Sequence, residues 1–473
     1  MKKHPMKTAF RGGAYSLVLT AMLVAVLILV NVMAAVLPPS LTKFDISAAQ
    51  LYSVTSNTKN VVSNLQQDVT IYWIAQPDQE DEILRNLLAR YENLSDHIHV
   101  VKRNPDVYPA FAEAYTDEEV LNNSLVVESG ERSRYIPLQD IYLTQPDLSS
   151  YSYSASFDGE GAITSAIDYC VNAVQPVLYQ LEGHGELPLP ELFLDQLTKA
   201  NMELRSLSLL NTDEIPQDCA VLMIHGPATD LSPEEARILT DYAEQGGQLL
   251  VLAGPTPEGI LPNLYGILEN YDITTRDGVI VEEDRSHYAF RTPYILLPRV
   301  EDAPITEPLL AEHYYPIVPI AQGLLVDPAD PAVTPLLTTS PASFSKAEGY
   351  KMQDYERSEG DAAGPFTVAV SIQAGQGGKI LWFSSSLMLD PLYNAYSSGA
   401  NLELIMNSLT DMVGQAESLA IRSKSLGYNY LTISQSTAAM LKVLLIGVFP
   451  LCYLAVGITV VVHKRKEQRN ETA

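Results

Sequence analysis

CAVLMIHGPATDLSPEEARILTDYAEQGGQLLVLAGP, running from Cys219 to Pro255, reads as strand, helix, strand. Its two apolar runs, Val221–Ile224 and Leu249–Leu252, are short and uninterrupted, the pattern of strands covered on both faces. The helix between them is delimited by its own chemistry. Ser232 is an N-cap, Pro233 sits at the first helical position, Glu235 completes a capping box, and Gly246-Gly247 stop the helix. Two buried strands joined by one helix form a unit whose strands lie parallel.

The alternation extends both ways. Pro176–Glu186 predicts a strand ending in a glycine-rich turn, Leu192–Ala200 an amphipathic helix, and Met202–Leu210 an alternating strand. Lys379–Ser386 predicts a further strand and Ala400–Val413 its helix. Residues 175–413 are therefore expected to be an α/β domain with a doubly wound parallel sheet. A proline-rich, aperiodic insertion at 271–365, including DPADPAVTP (Asp327–Pro335), is expected to supply edge strands and loops. Upstream, residues 43–145 give a strand at Asp68–Ala75 and a helix over Glu80–Leu94, with Ile83, Leu84, Leu87, Leu88, Tyr91 and Leu94 on one face. A strand at His97–Asp106 and a hairpin over Ser124–Leu138, turning at Ser129-Gly130, follow, and Thr55 or Ser56 is the N-cap of a preceding helix. The order β-α-β then hairpin predicts a thioredoxin-like domain. The loop after its first strand, Ala75-Gln76-Pro77-Asp78, holds no cysteine, which excludes redox activity. Residues 146–174, rich in serine and tyrosine at first, read as a linker and a helix.

Composition narrows the partners. The 473 residues hold 30 basic and 57 acidic side chains, a formal charge of −27, which argues against a nucleic-acid surface. Three cysteines make no disulfide scaffold, and whether Cys170 and Cys219 pair is not legible. Two apolar runs, Ala14–Leu37 and Val443–Val462, predict transmembrane helices at 14–37 and 439–462. Lys2, Lys3, Lys7 and Arg11 precede the first run, and Lys464, Arg465, Lys466 and Arg469 follow the second. By the positive-inside rule these place the tails 1–13 and 463–473 in the cytoplasm, leaving an acidic ectodomain at a cell membrane and a juxtamembrane connector at 414–438.

Ligands of open α/β sheets collect beyond the carboxyl ends of the strands. The ends legible here are Gly183-His184-Gly185-Glu186, His225-Gly226, Gly254-Pro255 and Ser384-Ser385-Ser386. His184, Glu186 and His225 could form a metal or acid–base site, and Ser384 and Ser385 are hydroxyls at the same edge. The alternative is that the glycines serve tight turns, the histidines cap backbone groups, and the serines belong to a plain turn. No P-loop, GxGxxG, HExxH or GxSxG motif occurs, so no nucleotide or other cofactor is implied and no nucleophile is identified, while a metal at the strand-end cluster stays open.

FDISAAQLYSVTSNT (Phe44–Thr58), DVTIYWIA (Asp68–Ala75), LARYENLSDHIHVVKRNPD (Leu88–Asp106) and VLYQLEGHGE (Val177–Glu186) resemble the auxiliary subunit of gliding-motility-type ABC transporters. The resemblance covers most of the chain. It implies a thioredoxin-like part followed by a glutamine-amidotransferase-like α/β part, flanked by the two spans. It also implies a non-enzymatic transport subunit working beside a separate ATPase and a multi-span permease. The amidotransferase likeness departs at Gly254-Pro255, where a nucleophile would be needed. The competing expectation is a membrane-tethered hydrolase or metal-dependent enzyme using His184, Glu186 and His225. The substrate, the direction of transport and the oligomeric state leave no mark in the sequence.

Overall fold

The structure is a computed structural model that describes residues 54–147, 152–172, 174–210, 212, 214–257, 259–327, 329–414 and 424–425, with short pieces inside 21–29 and 442–462. The chain divides into two compact units, Leu51–Ser425 and a second made of Met1–Gln50 with Leu426–Ala473.

In the second of these units the expected spans at 14–37 and 439–462 lie largely outside the described residues, as do the tails and most of 414–438. Among the described residues no helix is long and apolar enough to cross a membrane. The two flanking transmembrane helices, and the two-span location built on them, are thereby corrected. The apolar run that prompted them includes Val443–Val448, a six-residue π-helix. An apolar composition is necessary for a span, but crossing also takes roughly 20 residues of continuous helix.

The larger unit opens with α1 (Ser56–Ser63), capped by Thr55, whose hydroxyl accepts from the Thr58 amide at 3.3 Å. The same threonines fix the helix to a distant part of the chain. The Thr55 amide and the hydroxyls of Thr55 and Thr58 all donate to Glu160 Oε1, at 2.6, 2.8 and 2.7 Å. A buried carboxylate needs such donors to offset its lost hydration.

β1 (Val69–Ile74), α2 (Glu82–Leu94), β2 (Ile98–Arg103), β3 (Ser124–Ser129) and β4 (Arg132–Ile136) follow. They form a sheet of order β2-β1-β3-β4, with β1 parallel to β2 and antiparallel to β3. Leu84, Leu87, Leu88 and Tyr91 of α2 are buried, the face that the helical spacing defined. Gly130, at φ +59°, opens the two-residue turn between β3 and β4, a position where a side chain would be strained. β5 (Tyr142–Asp147) and β6 (Ser152–Phe157) form a hairpin, and β6 also pairs with Lys424–Ser425. Part of the stretch read as a linker is thus a strand. α3 (Gly159–Val171) is buried along almost its whole length and packs on β3 and β4. Arg134 of β4 reaches Asn201, 2.6 Å away, and Asn201 donates to Asp168 of α3 at 2.9 Å, which ties this sheet to the next part of the chain.

β7 (Val177–Leu181), α4 (Glu191–Lys199), β8 (Glu203–Leu207), β9 (Cys219–His225), α5 (Pro233–Glu244) and β10 (Gln248–Leu252) continue the alternation, and β11 (Thr367–Gln373) and β12 (Lys379–Phe383) come much later. β8-β7-β9-β10-β12 are parallel neighbours in a ten-stranded sheet. β11 is antiparallel to β12, and Gly323–Leu325 and Val333–Thr338 are antiparallel to β11. The expected doubly wound parallel sheet is therefore corrected to a mixed α/β sheet. The cause is connection length: residues 374–378 join β11 to β12, whereas a parallel crossover takes about a dozen residues or more. Pro335 lies within Val333–Thr338, where the pairing with β11 also shifts register, consistent with a residue that cannot donate to the ladder.

Both faces of the sheet are covered. Leu250 and Leu252 join one core with Phe193 and Leu197 of α4 and with Leu404 and Ile405 of α6 (Ala400–Val413). Leu249 and Val251 join the other with Leu239 and Ala243 of α5. This explains why β10 reads as a continuous apolar run: neither face meets water.

Candidate functional site

The parallel strands bring the four sequence-predicted ends to one edge. The Leu187 amide donates to the His225 carbonyl at 2.9 Å, the Gly226 amide to Leu252 at 2.8 Å, and the Ala253 amide to Phe383 at 3.0 Å. What each side chain does there follows from its partners.

The loop after β7 turns on Gly183 and Gly185, at φ +128° and +71°. Glu186 folds back beneath it, and its Oε2 accepts from the amides of Gly183 and His184 at 3.0 and 2.9 Å. Glu186 Oε1 lies 3.2 Å from His184 Nδ1. On the other side of the ring, Nε2 lies 3.2 and 3.3 Å from the two carboxylate oxygens of Glu235. His184, Glu186 and Glu235 side chains are each only 5% exposed. The His184 ring thus stands between two buried carboxylates, with one ring nitrogen within hydrogen-bond reach of each. The brace joins the β7 loop to the first turn of α5. There the Glu235 carboxylate also accepts from the Ser232 amide at 2.9 Å, closing the capping box. Burial pushes the Glu235 carboxyl up, but the Ser232 amide and hydroxyl and the His184 ring outweigh it and hold the group below its ordinary value.

His225 is buried, and its Nδ1 lies 3.1 Å from the Leu187 carbonyl. Burial lowers its pKa, against the opposing bonds to the backbone of Leu187 and Ser386. Its ring bonds to Leu187 rather than to His184 or Glu186, so the three residues share an edge without forming one hydrogen-bonded cluster. Among the described residues no group of three or more His, Cys, Asp or Glu could hold a metal ion.

The serines are equally committed. Ser384 Oγ donates to the Val368 carbonyl at 3.0 Å, and Ser385 Oγ donates to the Pro319 carbonyl. Both are wholly buried. Ser386 Oγ accepts from the Gly254 amide at 3.0 Å. Gly254 has a spatial reason for being glycine: a Cβ there would stand 3.1 Å from the Ile320 carbonyl oxygen and 3.2 Å from both Ser385 Cα and Ser386 N.

That contact exposes what the sequence did not show. The segment Ile317–Gln322, from the proline-rich region, lies across the ends of β10 and β12. The Gln322 amide donates to the Ser384 carbonyl at 2.9 Å. Asn401 of α6, fully buried, holds the other end. Its Oδ1 accepts from the Ile317 amide at 2.8 Å, and its Nδ2 donates to the carbonyls of Ile317 and Met388 at 2.8 and 3.0 Å. The chain thus occupies, with its own backbone, the place beyond β10 and β12 where a ligand of such a sheet would lie. Neither Glu235 nor Asn401 was singled out as a site residue. The capping box marked Glu235 only as a helix residue, and Asn401 gave no signal.

The cysteines lie apart from this edge. Cys170 and Cys219 are both free thiols, with Cys170 Sγ 3.5 Å from the Val127 carbonyl and Cys219 beside the Tyr242 hydroxyl.

Residues 175–376 match a family described as an ABC-type uncharacterized transport system, and residues 48–140 match a domain of unknown function. Through residues 175–376 the chain is similar to an ABC-transporter auxiliary family, a match that supports an ABC-type transport-associated role. No curated protein matches the chain. Solved structures similar to it include the mmIFT52 N-terminal domain, at 16% identity and a TM-score of 0.38, covering 50% of this chain and 97% of that one. A cytoplasmic protein from Salmonella typhimurium aligns at 12% identity and a TM-score of 0.28, covering 50% and 98%. A glutamine amidotransferase from Thermotoga maritima aligns at 10% identity and a TM-score of 0.29, covering 51% and 99%.

Proposed function

We propose that the chain is a non-enzymatic subunit of an ABC transport complex, acting beside a separate ATPase and a multi-span permease that carry nucleotide hydrolysis and translocation. The observation that carries this reading is the closed sheet edge. Where an α/β enzyme would present a nucleophile and room for substrate, this chain has Gly254 packed against the Ile320 carbonyl, with Ser384 and Ser385 donating to backbone carbonyls. His184, flanked by carboxylates on both sides, braces a loop to a helix, and each of its ring nitrogens already faces a carboxylate of this chain. The strand-end residues His184, Glu186, His225, Ser384 and Ser385 are accordingly given an architectural role. The α/β part then serves as a recognition body whose outer surfaces meet the other subunits.

The test is isolation of the tagged chain from detergent-solubilised cells, with quantitative mass spectrometry of the proteins that accompany it. Near-stoichiometric recovery of a nucleotide-binding subunit and a multi-span permease is expected. Recovery of the chain alone, together with an esterase, amidase or glycosidase activity lost in His184→Ala, would overturn the reading.

A further inference from the structure

β1 and β2 run parallel and end side by side, Ile74 opposite Arg103. The space beyond the carboxyl ends of parallel strands is where α/β folds take ligands. Here the following loop folds over those ends and encloses a cavity of about 140 Å³, lined by Ile74, Arg103, Tyr108, Phe111, Ala112 and Val120 among others. That is room for a small organic molecule rather than a lone water.

Arg103 is the single charged side chain in the lining. Its Cζ stands 5.4 Å from the ring centre of Tyr72, 5.6 Å from that of Tyr108 and 5.4 Å from that of Phe111. This aromatic collar holds the guanidinium in place and offers its N–H groups no carboxylate or carbonyl. Arg103 Nε is buried with no hydrogen-bond partner, and among the described residues the guanidinium has neither an ion pair nor an acceptor. Arg134, half-buried on the same sheet, shows the ordinary arrangement: it donates to Ser165 and Asn201 at 3.2 and 2.6 Å. In a chain with 57 acidic residues, an arginine held by three rings and left without an acid is a donor fork awaiting an acceptor.

We infer that this cavity binds an organic carboxylate carried on a short apolar stem. The carboxylate pairs with the Arg103 fork, and the stem lies against Ile74, Phe111, Ala112 and Val120. A phosphate fits less well, because Arg103 is the one charged side chain among the described lining residues and a dianion asks for more donors than its fork supplies. The inference is independent of the transport reading above. It applies alike to a free acid and to the carboxyl end of a peptide, which share this chemistry.

The experiment is a saturation-transfer NMR titration of the full chain with valerate, with valeramide, and with N-acetylglycylvaline bearing a free carboxylate. Saturable binding of valerate or of the peptide acid is expected, with valeramide at least about tenfold weaker, the discrimination that one charge-assisted hydrogen bond supplies. Arg103→Gln should weaken the acid by a similar factor while its thermal midpoint stays near that of the parent. Ala112→Leu, which keeps Arg103 and fills the cavity, should do the same and serves if Arg103→Gln does not fold. Tighter binding of the peptide acid identifies a polypeptide end as the source, and tighter binding of valerate a small acid. Equal binding of valerate and valeramide, retention of the acid by either variant, or no binding of either acid to the parent chain would overturn the inference.

Discussion

Asn401→Ala should open the sheet edge. The asparagine satisfies three buried backbone groups, the amide and carbonyl of Ile317 and the carbonyl of Met388, and its own side chain is fully covered. Truncation leaves those three groups without partners in a site closed to solvent. At about 1–3 kcal/mol for each unsatisfied buried group, the loss is at least roughly 3 kcal/mol. That equals about two powers of ten in the folded-to-unfolded ratio. Because the damage falls on the segment Ile317–Gln322, it should appear locally before it appears globally. Hydrogen exchange at the Ile317 and Gln322 amides should rise by about a hundredfold or more, while the β9 and β10 amides stay protected. Asn401→Asp should be no better, since it keeps one acceptor but turns a charge toward two carbonyls. The assays are urea unfolding followed by circular dichroism, and exchange followed by mass spectrometry. A loss below about 1 kcal/mol with unchanged exchange over 317–322 would refute the view that Asn401 pins the segment across the edge.

Other consequences follow from the same edge. His184→Ala removes the ring that bridges the buried carboxylates of Glu186 and Glu235 and leaves acceptors there unsatisfied, so unfolding should be easier by about 1–3 kcal/mol in urea titrations, whereas replacing all three with apolar residues should cost far less. Gly254→Ala pushes a methyl against the Ile320 carbonyl and the Ser385 backbone and should destabilise by about 1–3 kcal/mol, read as a lower thermal midpoint. The pH dependence has a definite sign. His225 titrates below 6.5 when folded, so its contribution is fully present above 6.5 and is lost as the pH falls through its lowered value. Glu235 acts the same way below 4.5. The urea midpoint should therefore decline on acidification from neutrality, and the first part of that decline should shrink in His225→Gln.

Local chemistry was legible and distant pairing was not. Ser232, Pro233 and Glu235 delimit α5 within a few residues, and the helix observed is Pro233–Glu244. Thr55, offered with Ser56 as an N-cap, is the cap, and the apolar runs of β9 and β10 are strands at the expected places. The antiparallel half of the large sheet escaped because its strands are short, carry proline and pair across long stretches of chain, as Val333–Thr338 does with β11. Periodicity reports which face a residue turns to the core, but it does not report which strand lies alongside. The strand-end residues were legible as neighbours, because a parallel sheet puts such ends on one edge. Their partners were not. Glu235 stands 51 residues from His184, and Asn401 stands 84 from Ile317.

The central claim is that this chain serves an ABC transporter without performing chemistry itself. It is tested most directly by measuring ATP hydrolysis in material purified through a tag on this chain, beside the chain expressed alone. The account predicts no hydrolysis by the chain alone, and hydrolysis in the purified material that tracks a co-purified nucleotide-binding subunit. Material that contains only this chain, or an activity that resides in the chain and is lost with His184, would contradict it.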